Sequence, residues 1–97
     1  MGVYSLSNKS KVDLANIYEY GIEKFGLNQS QKYLMGLHDL FQILSSNLNM
    51  GRDASEFAPM LKRFSYQSHM IFYLVTADES ILVIRILSQS MNYDNHL

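Results

Sequence analysis

The residues with the most chemical content lie in the last third of the chain. Arg85 stands inside an apolar run, between Ile84 and Ile86. An unpaired guanidinium is costly to bury, so Arg85 must meet a partner or open onto water there. Two kinds of partner fit. One is an internal acid, from the first helix or the tail. The other is an external carboxylate or phosphate, which matches arginine's rigid two-pronged donor. Lys62, Arg63 and His69 add a local basic edge, because no acidic residue occurs between Lys62 and Thr76. Arg52, which follows Gly51, reads as a solvated loop charge.

Signatures of catalysis are sparse. His38, His69 and His96 lie far apart and lack metal-ligand spacing, so neither a metal site nor a cofactor is expected. The sequence contains no Gly-rich phosphate loop and no Gly-x-Ser-x-Gly elbow. Without cysteine there are no disulfides, no thiolate chemistry and no zinc site of the cysteine type. The acids form no acid–base pair, and Asp78-Glu79 reads as a solvated hairpin turn. Eight Lys and Arg face nine Asp and Glu, a balance that counts against a non-specific nucleic-acid binder. No apolar stretch has the length of a membrane span and no signal peptide opens the chain, so a cytoplasmic protein is expected. The opening Met1-Gly2 is not a myristoylation signal, since position 6 is Leu6.

The elements that position Arg85 can be read from periodicity. Val3 to Ser7 alternates as a short strand. Ser7 suits the N-cap of a helix whose apolar face is Leu14, Ile17, Tyr18, Gly21 and Phe25, and Gly26 ends it. Asn28 with Gln31 suits the start of a second helix, with a stripe through Tyr33, Leu34, Leu37, Leu40, Phe41, Leu44 and Leu48. A loop from Met50 to Leu61 follows, and then strands ending at Tyr66, at Thr76 and at Leu87. The predicted fold is α+β, ordered β-α-α-β-β-β, with a helical hairpin on one face of a small antiparallel sheet and residues 1–97 in a single domain.

Both faces of that sheet are apolar. Strict alternation places Ile81, Val83, Arg85 and Leu87 on one side of the last strand and Leu82, Ile84 and Ile86 on the other. One hairpin covers one face. The other, read as Ile81, Val83 and Leu87, calls for a cover, and an amphipathic segment of a partner is preferred over the tail with Met91, Tyr93 and Leu97.

Several stretches, in order, resemble the ParE toxins of bacterial toxin–antitoxin pairs, within the ParE/RelE superfamily. They are Tyr4-Ser5-Leu6-Ser7, Asp13 through Gly21 with Phe25-Gly26, Tyr33-Leu34 through Leu44, and Asn47 through Gly51-Arg52. Lys62-Arg63-Phe64, Ser68 through Tyr73 and Val83 through Met91 complete the match. The chain departs from the family pattern at Leu48, Ser88, Asn92 and Asn95.

The resemblance implies a non-enzymatic toxin that is neutralised by a ParD-like antitoxin and poisons DNA gyrase by stabilising its cleaved DNA complex. With the apolar face and the basic residues taken together with this reading, antitoxin contacts are expected from Arg63, Tyr73, Ile81, Val83, Arg85 and Leu87, and target contacts from Met91, Asn92 and His96. One alternative is a RelE-type endoribonuclease that cuts messenger RNA on ribosomes, for which Lys62, Arg63, His69 and Tyr73 are the available acid–base and cationic groups. Another is an antitoxin-binding relic without toxicity, for which recovery of toxicity on Asn92→Asp is the discriminating test.

Overall fold

The computed structural model describes residues 3–97; Met1 and Gly2, and with them the reading of the N-terminal signal, lie outside it. Strand β1 (Tyr4–Leu6) leads into helix α1 (Asn8–Phe25) and helix α2 (Leu27–Ser46). Four strands follow: β2 (Arg52–Asp53), β3 (Lys62–Tyr66), β4 (His69–Val75) and β5 (Ile81–Ser88). A short 3-10 turn, Tyr93–Asn95, closes the chain.

The N-terminal cap of α1 forms as its sequence dictates. The Ser7 side chain accepts the Ser10 amide at 3.0 Å, satisfying one of the helix's free donors. The start of α2 differs from expectation. Asn28 does not cap it; Gly26 occupies the N-cap at φ 88° with no side-chain bond. The helical connection is a single residue, so the carbonyl of Gly26 takes the Ser30 amide at 3.1 Å and leaves Asn28 inside the first turn. Phe25, expected on the buried face of α1, is 69% exposed, because it falls at the tip of the hairpin beyond the sheet.

The α+β class holds, with two corrections to the sheet. It has five strands in the order β1-β5-β4-β3-β2 and is mixed rather than antiparallel. Strand β1 runs parallel to β5, pairing Tyr4 with Ile81 and Leu6 with Val83. The additional strand β2 pairs Arg52 with Arg63 and Asp53 with Lys62 on the opposite edge.

A third correction decides which side chains face where. Phe72 pairs with Arg85 and Tyr73 with Val83, so Ile84 is an extra residue in β5. Such a bulge shifts the alternation by one position. Ile81, Val83 and Ile86 therefore join Leu37, Leu40, Phe41, Leu44, Ile71 and Tyr73 in the core beneath the helices. Ile84 and Leu87 face the other way, with Ala54, Leu61, Phe72, Met70 and Leu74. Tyr73 packs so tightly against the loop before β2 that a Cβ at Gly51 would collide with its hydroxyl, so this position requires glycine.

Candidate partner-binding surface

The second face of the sheet is covered by two irregular segments. The loop between β2 and β3 folds back, with the Ala54 amide bonding the Leu61 carbonyl at 2.9 Å, and lays Phe57 and Ala58 over the strands. The tail adds Tyr93. Its ring stands edge-on to Phe72 at 5.1 Å and to Phe57 at 6.0 Å, and Phe57 meets Phe72 at 5.9 Å. Edge-to-face arrangements of this kind suit the aromatic quadrupole.

At the border between the two faces sits Arg85. Its Nε and Nη2 donate to the two oxygens of Asp13 at 2.8 and 2.9 Å, a two-pronged pair linking β5 to α1. The Ile86 amide donates to the same carboxylate at 2.9 Å. The side chains are only 16% and 11% exposed, so the pair is largely sheltered from water. Hydrogen bonding to Asp13 holds the Arg85 guanidinium still further above its ordinary range, against the opposing effect of burial. The remaining Nη1 donates to the backbone carbonyl of His96 at 2.8 Å, which pins the tail. Of the two partners open to Arg85 from sequence, the internal one is present.

The other residues singled out by sequence divide between the two faces. Ile81, Val83 and Tyr73 are fully buried beneath the helices, so the expected open face of Ile81, Val83 and Leu87 does not exist as drawn. The bulge at Ile84 is the reason, and Leu87 alone of the three lies on the second face. That face is covered in part by the chain's own tail, the arrangement ranked second from sequence. Arg63 is half-exposed and meets Glu56 at 3.4 Å. Its cross-strand partner is Arg52, a like-charge pairing that leaves positive charge on this edge. Met91, Asn92 and His96 are exposed on the tail, where the Asn92 side chain caps the 3-10 turn by accepting the Asp94 amide at 3.1 Å.

The four groups considered for RNA cleavage divide between the faces: Lys62 lies opposite Tyr73, whereas Arg63 lies opposite Phe72 on the second face. Tyr73 and His69 lie along the helix-covered side of β4, and the His69 ring nitrogen Nδ1 is 2.6 Å from the Tyr33 hydroxyl. Burial pulls the His69 pKa down, and the charge of Asp13 opposes this. Burial likewise raises Tyr73, opposed by the adjacent Gly51 backbone, and its hydroxyl lacks an aligned hydrogen-bond partner among the described residues. Sequence reasoning missed the partner clusters Tyr33–His69 and Tyr4–His38. It also missed the role of Phe57, which had no periodic signal because it sits in a loop.

A helical hairpin on a mixed five-stranded sheet with an irregularly covered second face defines a small α+β module, and its fold has a solved counterpart. A chain from a structure described as the chromosomal ParDE TA system from P. aeruginosa superposes with a TM-score of 0.76, covering 91% of this chain and 96% of that one at 18% identity. The sequence model described as the ParE toxin of type II toxin–antitoxin system, parDE, matches residues 4–93. Toxin ParE1 of Mycobacterium tuberculosis is 32% identical over 97% of this chain and 96% of its own. Toxin ParE1 of Caulobacter vibrioides is 31% identical over 100% and 99%, and Toxin ParE of Escherichia coli 29% over 95% and 89%. The chain belongs to the ParE toxin family of type II toxin–antitoxin systems. Among its described residues, no helix is long and apolar enough to cross a membrane.

Proposed function

We propose that this chain is the toxin of a ParDE pair, held inactive by a ParD-like antitoxin and acting in the cytoplasm as a non-enzymatic poison of DNA gyrase. The observation that carries the reading is the second sheet face. It is apolar, rimmed by Arg52, Arg63 and Lys9, and finished only by a loop and a tail. Such a surface suits a peptide partner better than a small substrate. Arg63, Arg85 and Leu87 contribute to antitoxin binding from this face, while Tyr73, Ile81 and Val83 support it from beneath. Met91, Asn92 and His96, exposed on the tail, form the part directed at gyrase. The non-enzymatic reading is supported by the division of the four groups: Lys62 lies opposite Tyr73 on one face, Arg63 lies opposite Phe72 on the other, and His69 stands four residues from Tyr73 at the start of β4.

The test is a gyrase cleavage assay with purified protein, with and without a ParD-like antitoxin. Accumulation of linear, protein-linked DNA, reversed by the antitoxin, is expected. Well-folded protein that yields no cleavage product would refute the gyrase reading.

A further inference from the structure

The tail holds its place on the second face through few contacts. Tyr93 is its only half-buried residue beyond Ser88; all others from Gln89 to Leu97 are exposed. Gln89 ties its start to the β3–β4 turn, donating its amide to the Ser68 carbonyl at 2.9 Å and its side chain to the Gln67 carbonyl at 2.6 Å; beyond Gln89 the polar anchor to the strands is the His96 carbonyl on Arg85 Nη1. That carbonyl is a neutral acceptor bound to a cation. A carboxylate at the same spot would make a shorter and stronger charge-assisted bond. Beside it lies a cavity of about 180 Å³, with Leu61, Leu74, Ile84 and Pro59 in its lining. Lys9, which also lines it, has no ion-pair partner among the described residues. The tail thus fills the aromatic slot well and the cationic one poorly.

We propose that the C-terminal tail is a removable strap, and that the groove beneath it takes an extended acidic peptide segment carrying an aromatic anchor. The anchor replaces Tyr93 against Phe57 and Phe72, and a carboxylate replaces the His96 carbonyl on Arg85. The chain's own Tyr93-Asp94 is a weak version of that ligand, with the ring seated and Asp94 left exposed. The source is the antitoxin, so this inference rests on the function proposed above. It adds a mechanism of neutralisation: filling the groove lifts Met91, Asn92 and His96 out of the pose they hold in the free chain.

The chain has no tryptophan, so Tyr93→Trp places a single indole in the slot. Titration with a ParD-like antitoxin, followed by calorimetry and fluorescence together, should shift that emission to the red as the complex saturates. A tight complex with unchanged emission would overturn the strap while leaving the ParDE reading intact. No complex by calorimetry would overturn both. Association kinetics supply a second measurement. A groove occupied by the strap most of the time slows productive encounter, so Tyr93→Ala should raise the association rate about tenfold, with Tyr93→Phe unchanged. A Tyr93→Ala rate equal to the parent, in a variant with native circular dichroism, would overturn the proposal. The rate should also fall as salt rises, and a salt-independent rate would refute the acidic character of the ligand.

Discussion

The two faces of this sheet are built from similar residues and covered in different ways. Beneath the helices, Leu37, Phe41, Leu44, Ile71, Tyr73, Ile81 and Val83 are closed off from water by regular elements with their backbone bonds satisfied. On the other side a comparable strip is closed by a loop and a tail, with Phe57 and Tyr93 only half-buried. The first face secures the fold. The second, closed by segments outside the regular elements, is the face on which the strap proposal expects one cover to be exchanged for another.

The largest test of that contrast is a pair of truncations. Phe41→Ala should cost about 3–5 kcal/mol in urea denaturation, as expected for a fully buried ring. Phe57→Ala should cost only about 1–2 kcal/mol, since it removes two edge-on aromatic contacts at a half-exposed site. Equal costs would erase the distinction between a structural face and an exchangeable one.

Next in size is Asp13→Ala, which strands the Arg85 guanidinium and the Ile86 amide. A loss of about 2–3 kcal/mol is expected, below that of a wholly buried pair because some water reaches both side chains. Adding Arg85→Ala should recover part of the loss, which a double-mutant cycle measures.

A pH titration gives a smaller effect. His69 titrates below its ordinary value of about 6.5 in the folded chain, because burial disfavours its charged form. The unfolded chain therefore binds more protons just below that value, and stability falls as pH drops through it toward the folded pKa. His69→Gln should flatten this part of the stability profile relative to the parent. An unchanged slope would place the titration elsewhere.

The smallest effect expected is from Tyr73→Phe. The buried hydroxyl has no aligned partner, so removing it should leave stability unchanged or raise it by up to about 1 kcal/mol. A clear loss would mean that the Gly51 backbone is a real partner of this oxygen.

Much of the fold was legible from sequence because it rests on local rules. The Ser7 cap, the end of α1 at Gly26 and the stripe on α2 all follow from periodicity and capping chemistry. The sheet's order and its mixed character do not, since a three-residue edge strand carries no mark of its direction. The candidate site was less legible for one physical reason. Alternation is a good guide to strand faces until a bulge breaks it, and Ile84 in β5 is an ordinary β-former with nothing to announce the irregularity. That single residue moved Ile81 and Val83 under the helices. The pairing of Arg85 was foreseeable as a need, but its choice of Asp13, far away in sequence, required the fold.

The parallel pairing of β1 with β5 has a consequence for when the sheet can close. The last strand made is not at the edge of the sheet but between β1 and β4, and it supplies Ile81, Val83 and Ile86 to the main core. The first strand has no neighbour in the sheet until the ribosome has produced the last one. Closing so long a loop is slow compared with forming local contacts. A chain made only as far as Val75 therefore lacks the strand that joins β1 to β4, and its sheet stays unfinished. The order of the strands ties closure of the sheet and of the main core to the synthesis of β5, so neither can be completed piecemeal.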